Sequence, residues 1–266
     1  MNGTDRNGRA PLLLARNIAK SFGDFRALRD VDVTVFPGRI TAFVGPNGAG
    51  KTTLFHILSG NLRPDRGRVL LDGVDITRFE PWRIAWMGMG KLYQDVRIFE
   101  GLSVLDNVKA ALLEPSDYSI LSAFRLRRFA AAERTRNDEA MHYLEYVGLG
   151  EFAKKRGGEL SFGQQKLLAI ARLLAHGSRL LLLDEPTAAL SPVMTENMIS
   201  LIRKITEEQN VSVALIEHNM RVVRNLASYI YFLHEGTVFC HGTQSCVLEN
   251  PEVRELYMGL SGGRME

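Results

Sequence analysis

Cysteine is scarce, with two residues, Cys240 and Cys246, in a chain of 266. They form no C-x-x-C pair and have no histidine at a matching spacing, which argues against a disulfide framework or a zinc-type centre. They read as incidental thiols of a reducing compartment. Long apolar runs are also missing. None approaches the roughly 18 residues of a membrane-spanning helix, so work at a membrane would need another chain to hold this one there. Charge of one sign is not in excess: 33 Lys and Arg stand against 30 Asp and Glu, a net +3 that is too small to argue for nucleic acid. The one dense basic cluster, Arg125, Arg127 and Arg128, reads as a solvated helix face. No internal repeat is visible. Met1 to Ala10 is polar and glycine-rich, lacks the apolar core of a signal peptide, and is expected to be a flexible tail, as is 261–266.

What remains is ordinary globular composition, 45% hydrophobic and 24% charged, expected to form one domain over 11–260. The first part reads as strands at Leu12–Phe22, within Phe25–Val35, at Ile40–Val44 and at Arg68–Leu71, a mostly antiparallel arrangement flanking a glycine-rich loop. Lys91–Gln94 reads as a short strand ending on a polar residue. Apolar residues then recur at helical spacing over Val104–Leu113 and Ala130–Tyr146, with the basic stretch Glu114–Arg128 between them. This is expected to be an inserted helical subdomain over roughly 96–160, or about 96–175 with the helix that begins near Ser161. The last third returns to strand–helix alternation. Leu180–Leu183 and Val211–Ile216 are apolar on both faces, as buried parallel strands are. Helices are expected at Pro192–Glu208 and Pro251–Met258, and a hairpin over Tyr229–His241. The fold class is α/β with a largely parallel core.

The sharpest motif is Gly45-Pro46-Asn47-Gly48-Ala49-Gly50-Lys51-Thr52-Thr53, between the apolar strand Ile40–Val44 and a helical pattern that starts near Lys51. That is the strand–loop–helix context of a phosphate-binding P-loop. The first N–H groups of a helix lack internal partners and carry partial positive charge. Glycine lets the backbone close on phosphate oxygens. Lys51 can reach the terminal phosphates of a nucleotide, and the Thr52 hydroxyl can ligate Mg²⁺.

Asp184 and Glu185 follow an apolar strand, where the loops of an α/β sheet gather at the ligand. Asp184 can hold the Mg²⁺ shell, and Glu185 can polarise a water for attack on phosphorus. His218 ends the next apolar strand and can orient that water or sense the phosphate. Gln94, before the insert, can complete the Mg²⁺ or water shell and report nucleotide state to the insert. Leu160-Ser161-Phe162-Gly163-Gln164 opens a helix and offers a second anion site. With one P-loop per chain, a spare phosphate site suggests pairing with the P-loop of another copy.

The order of these motifs, the phosphate loop at 45–53, then Gln94, Leu160–Gln164, Leu180–Glu185 and His218, resembles the nucleotide-binding subunit of an ABC transporter over about Leu12 to Met258. The resemblance implies a P-loop ATPase core with an N-terminal antiparallel β subdomain and an inserted α-helical subdomain, with ATP and Mg²⁺ as ligands. It implies that Phe22 stacks on adenine and that Lys51, Thr52 and Thr53 bind phosphate and Mg²⁺. It makes Gln94 the Q-loop, Ser161, Phe162, Gly163 and Gln164 the signature, Asp184 the Walker-B Asp, Glu185 the catalytic base and His218 the switch histidine. It further implies two ATP molecules sandwiched in a homo- or heterodimer of ATPase subunits, docked on integral-membrane permease subunits at the inner face of the cell membrane, with a substrate-binding protein indirectly engaged. Phe162 stands where the family has a second signature glycine. Ser191 stands where the family has an Asp, so the usual cross-dimer carboxylate is replaced by a hydroxyl. Leu160 to Lys166, Ile216 to Met220 and Asn250 to Val253 look like importers of branched-chain and other hydrophobic amino acids. Urea and amide importers, exporters or lipid-extraction systems, and soluble scaffold ATPases of iron–sulfur assembly are the alternatives.

Overall fold

The strands divide by what their side chains must cover. In the computed structural model, which describes residues 8–112 and 126–261, two sheets form. The first contains β1 (Leu13–Phe22), β2 (Phe25–Val35), β4 (Arg66–Leu71) and β5 (Val74–Asp75) in the order β2-β1-β4-β5, with antiparallel pairing throughout. Its strands are apolar on one face, as in Val31, Val33 and Val35, which are buried beside exposed Asp32. The second holds β3 (Ile40–Val44), β6 (Met89–Leu92), β7 (Leu180–Asp184), β8 (Ser212–Ile216), β9 (Tyr229–His234) and β10 (Thr237–Gly242) in the order β10-β9-β3-β8-β7-β6. β9, β3, β8 and β7 run parallel, and β10 returns antiparallel to β9. β3, β7 and β8 are buried at every residue, which is why they read as unbroken apolar runs.

The described residues form two compact units. One comprises the chain up to Lys91, Arg179–Ala189 and the residues from Thr195 onward; the other comprises Leu92–Ser178 with Leu190–Met194. In the first, α1 (Lys51–Leu58) follows β3 and α2 (Pro81–Trp86) precedes β6. Its core joins both sheets: Phe43 stacks on Tyr231 at 5.3 Å and meets the edge of Phe55 at 5.4 Å, with Leu54, Leu58, Leu182 and Ile216 in the same buried cluster. Each such side chain contributes roughly 1.5–3 kcal/mol through burial. Among the described residues, no helix is long and apolar enough to cross a membrane.

In the second unit, α3 (Val104–Lys109), α4 (Leu126–Tyr146) and α5 (Phe162–Ala175) pack on one another. Ser103 caps α3 by accepting from the Asp106 N–H at 2.9 Å. Asn107 is wholly buried yet fully paired: its Oδ1 accepts from Phe99 N at 2.8 Å, and its Nδ2 donates to Phe99 O and Ser103 O.

The tyrosine at the core of the first unit has a measurable consequence. The Tyr231 hydroxyl accepts from Thr34 N at 2.9 Å and donates to Thr34 O at 3.3 Å. Burial pushes its pKa up to about 12. The folded state therefore holds this proton more tightly than the unfolded chain, so the contribution is intact below pH 10 and is lost as pH rises from about 10 to 12. Tyr231→Phe is expected to cost about 1–3 kcal/mol at neutral pH through the deserted Thr34 N–H. It should also flatten the fall in stability between pH 9 and 11. Urea unfolding of both proteins at the two pH values checks this.

Several elements differ from expectation. The strand before the insert ends at Leu92, not Gln94. Leu92 is the last buried apolar residue, and the exposed Gln94 lies two residues beyond it. α4 begins at Leu126, four residues before the expected start; most of the basic stretch Glu114–Arg128 lies outside the described residues. α6 (Pro192–Gln209) and α9 (Pro251–Ser261) are close to expectation, while α7 (Met220–Leu226) and α8 (Gln244–Leu248) were not expected. At seven and five residues they are too short to carry a helical period. The expected tails lie largely outside the described residues.

Candidate functional site

The C-terminal ends of β3, β7 and β8 carry the residues that matter in the first unit. After β3 the chain turns at Gly45, whose φ is +145°; a Cβ there would stand 2.1 Å from the Leu233 carbonyl oxygen. At Gly50, φ +96°, a Cβ would lie 2.6 Å from Leu28 Cδ2 and 2.7 Å from the Ala27 oxygen. Both positions therefore require glycine for conformation and for space. Between them, Asn47 and Gly48 are exposed, Pro46 is half-buried and Ala49 is buried. α1 starts without a side-chain cap, and its first backbone bond is Leu54 N to Gly50 O at 2.9 Å. Its opening N–H groups, at Lys51, Thr52 and Thr53, are the ones a helix cannot satisfy itself.

Lys51 is 5% exposed, and its Nζ donates to the Gly45 and Pro46 carbonyls at 2.8 Å each. Burial pulls its pKa down to about 8, opposed by the carboxylates of Glu185 and Asp184. Asp184 closes β7 and is 5% exposed. Burial raises its pKa, as does Glu185, while Lys91 and Lys51 oppose the rise. His218 Nε2 lies 3.0 Å from Glu185 Oε1. Burial and the Lys51 charge lower the histidine pKa, and Glu185 opposes them. Lys51, Asp184, Glu185 and His218 thus form one electrostatically linked group. Glu185 holds a left-handed φ of +50°, a conformation that costs a non-glycine residue about 1–3 kcal/mol and persists only where its surroundings impose it. Phe22, at the end of β1, is 51% exposed, with the Lys20 ammonium 5.7 Å from its ring centroid.

The second unit holds Gln94 and the signature segment. Ser161 caps α5: its hydroxyl accepts from Gln164 N at 3.3 Å, and Gln164 Oε1 accepts from Ser161 N at 2.9 Å. Both side chains are engaged in the capping box. Phe162 is 42% exposed, with the Lys166 ammonium 5.0 Å from its ring centroid. Gly163 is a packing requirement, because a Cβ there would stand 2.7 Å from Met194 Cγ. The Ser191 hydroxyl accepts from Met194 N at 3.3 Å.

Three residues escaped the sequence reading as parts of this region. Glu217 is 3% exposed and accepts from Thr187 N at 3.0 Å and Thr187 Oγ1 at 2.7 Å. Lys91 adds positive charge toward Asp184. The available signal was a carboxylate closing an apolar strand, at Ile216-Glu217, where the histidine beside it drew the attention.

A divalent cation fits the donors here. Thr52 and Asp184 offer hard oxygen ligands, and the raised pKa of Asp184 is the penalty a cation would remove. Among the described residues, no group of three His, Cys, Asp or Glu could hold a metal by itself. Sites that take Mg²⁺ generally use one or two protein oxygens together with substrate phosphates rather than an all-protein cage.

The chain is similar to known proteins over most of its length. The family described as ABC transporter matches residues 28–188, more than half of the chain. The chain is 36% identical over 250 residues to the high-affinity branched-chain amino acid transport ATP-binding protein BraF of Pseudomonas aeruginosa, covering 94% of this chain and 98% of that one. Its fold is similar to the crystal structure of the ADP conformation of MJ1267, an ATP-binding cassette of an ABC transporter, with a TM-score of 0.80, 30% identity and coverage of 94% and 99%. It is also similar to the dimeric post-hydrolysis cassette MJ0796 bound to ADP and Pi, with a TM-score of 0.73, 26% identity and coverage of 87% and 98%. A glycine loop at the C-terminal end of a central parallel strand, a linked Lys–Asp–Glu–His group and these similarities over most of the chain lead to one conclusion: the chain belongs to the ABC transporter family, as an ATP-binding subunit that is an ATPase.

Proposed function

We propose that this ATPase drives a membrane importer for branched-chain or other hydrophobic amino acids. The observation that carries the reading is the similarity to BraF over 98% of that protein's length. The chain would act as a homo- or heterodimer, peripheral on the inner face of the membrane through permease subunits, with a substrate-binding protein engaged indirectly.

Within the site, the Gly45–Thr53 backbone and Lys51 bind the phosphates. Thr52 and Asp184 hold Mg²⁺, which when bound neutralises phosphate charge. Glu185 takes a proton from water, and His218, 3.0 Å away, fixes the orientation of that carboxylate. Phe22 supplies a face for adenine. Gln94 keeps the role in the Mg²⁺ shell and nucleotide readout that its place in the motif order implies. Ser161, Phe162, Gly163 and Gln164 serve the nucleotide of the partner subunit.

Reconstitution of the chain in vesicles with its co-encoded permeases and binding protein tests the substrate. ATP-dependent uptake of radiolabelled leucine is expected. Uptake of urea but not leucine, or purification of the chain without any integral-membrane partner, would overturn the reading.

A further inference from the structure

The loops after β7 and β8 are tied together by one buried carboxylate. Glu217, the residue before His218, accepts two bonds from Thr187, the second residue after Glu185. The Asn219 N–H bonds it as well. Thr187 and Glu217 are 7% and 3% exposed, so water does not compete for these bonds. Glu185 N also donates to Ile216 O at 3.0 Å, and Ala188 N to Glu185 O at 3.2 Å. The left-handed Glu185 is therefore held from both sides: by β8 at its own N–H, and by Glu217 two residues on. The same carboxylate is covalently adjacent to the histidine that meets Glu185.

We propose that Glu217 is a positioning residue for ATP hydrolysis, clamping Thr187 so that the Glu185 carboxylate and the His218 imidazole are held in register. Glu217 is enclosed and would act through Thr187 rather than on the reacting atoms. Both Thr187 bonds end on Glu217 Oε1, so the clamp needs one strongly accepting oxygen at this position. Methionine matches the length of glutamate but offers only a weakly accepting sulfur, so it removes the clamp, whereas glutamine would keep an accepting oxygen. This inference rests on the reading of Glu185 and His218 as the hydrolytic pair.

The test uses the full-length chain with Mg-ATP. Glu217→Met and Thr187→Val are each expected to lower kcat roughly tenfold with KM for ATP within about twofold, because orientation is lost and binding is kept. Thr187→Ser, which keeps the hydroxyl, should restore most of kcat. The double variant should be no slower than Glu217→Met alone, since both remove one interaction. Thr187→Val with wild-type kcat, or additive losses in the double variant, would overturn the proposal. If Glu217→Met does not fold, the Thr187→Val and Thr187→Ser pair decides. Glu185→Gln run in parallel separates the two readings: if it keeps hydrolysis, the hydrolytic pair is wrong; if it abolishes hydrolysis while Thr187→Val does not, only the clamp is wrong.

Discussion

Replacing Glu185 by glutamine is expected to lower ATP hydrolysis by roughly 10²–10⁴ while leaving ATP binding in place. The glutamine fits the same space and can keep a bond to His218, so the loop after β7 need not move. What it loses is the ability to accept a proton from the attacking water. His218 does not take over that role: burial and the Lys51 charge hold its pKa down, leaving it a weak base beside the carboxylate. Without hydrolysis to reopen the pair of subunits, the variant should accumulate as an ATP-dependent dimer. Steady-state phosphate release and sedimentation with Mg-ATP measure the two parts. Full hydrolysis would remove Glu185 from the mechanism, and a monomer at saturating ATP would count against the paired arrangement.

Lys51→Ala is expected to weaken ATP binding by roughly 10–100-fold, since a hydrogen bond to a charged group is worth about 1.5–3 kcal/mol. The ammonium is buried against the Gly45 and Pro46 carbonyls, at a cost its lowered pKa records. A lysine held there at such a cost is consistent with a function that needs the charge, because apolar residues would fill the same space more cheaply. Fluorescence titration with ATP reads the change, and an undiminished affinity would remove Lys51 from the phosphate site. Removal of the same charge should also shift Asp184 further toward protonation, because Lys51 is one of the groups opposing its raised pKa.

The two variants separate binding from chemistry, and the residues involved differ in how they could be found. Lys51 and Asp184 lie in local patterns, a glycine loop after one apolar strand and a carboxylate after another, so spacing along the chain makes them candidates. Glu217 and Thr187 are 30 residues apart, and nothing in either segment alone signals the other. Gln94 was misjudged as a strand end because a four-residue edge strand leaves too little pattern to locate its boundary. The seven-residue α7 was passed over for the same reason, although Asn219 caps it and Val222, Val223 and Leu226 are buried.

The sequence by itself determined the family, the fuel and most of the strand–helix order, because those depend on residues close together in the chain: helix caps, turn glycines, buried apolar runs. Only the tertiary structure decided what depends on distant segments meeting. It paired β3 with β8 and β9 in parallel, brought His218 to 3.0 Å from Glu185, and enclosed the Glu217 carboxylate against Thr187. It also accounted for Gly163 through Met194 and for the capping roles of Ser161 and Gln164. The physical reason is range. Local conformation is set by a few neighbouring residues, whereas pKa values, buried hydrogen bonds and a left-handed glutamate depend on what the rest of the chain places beside them.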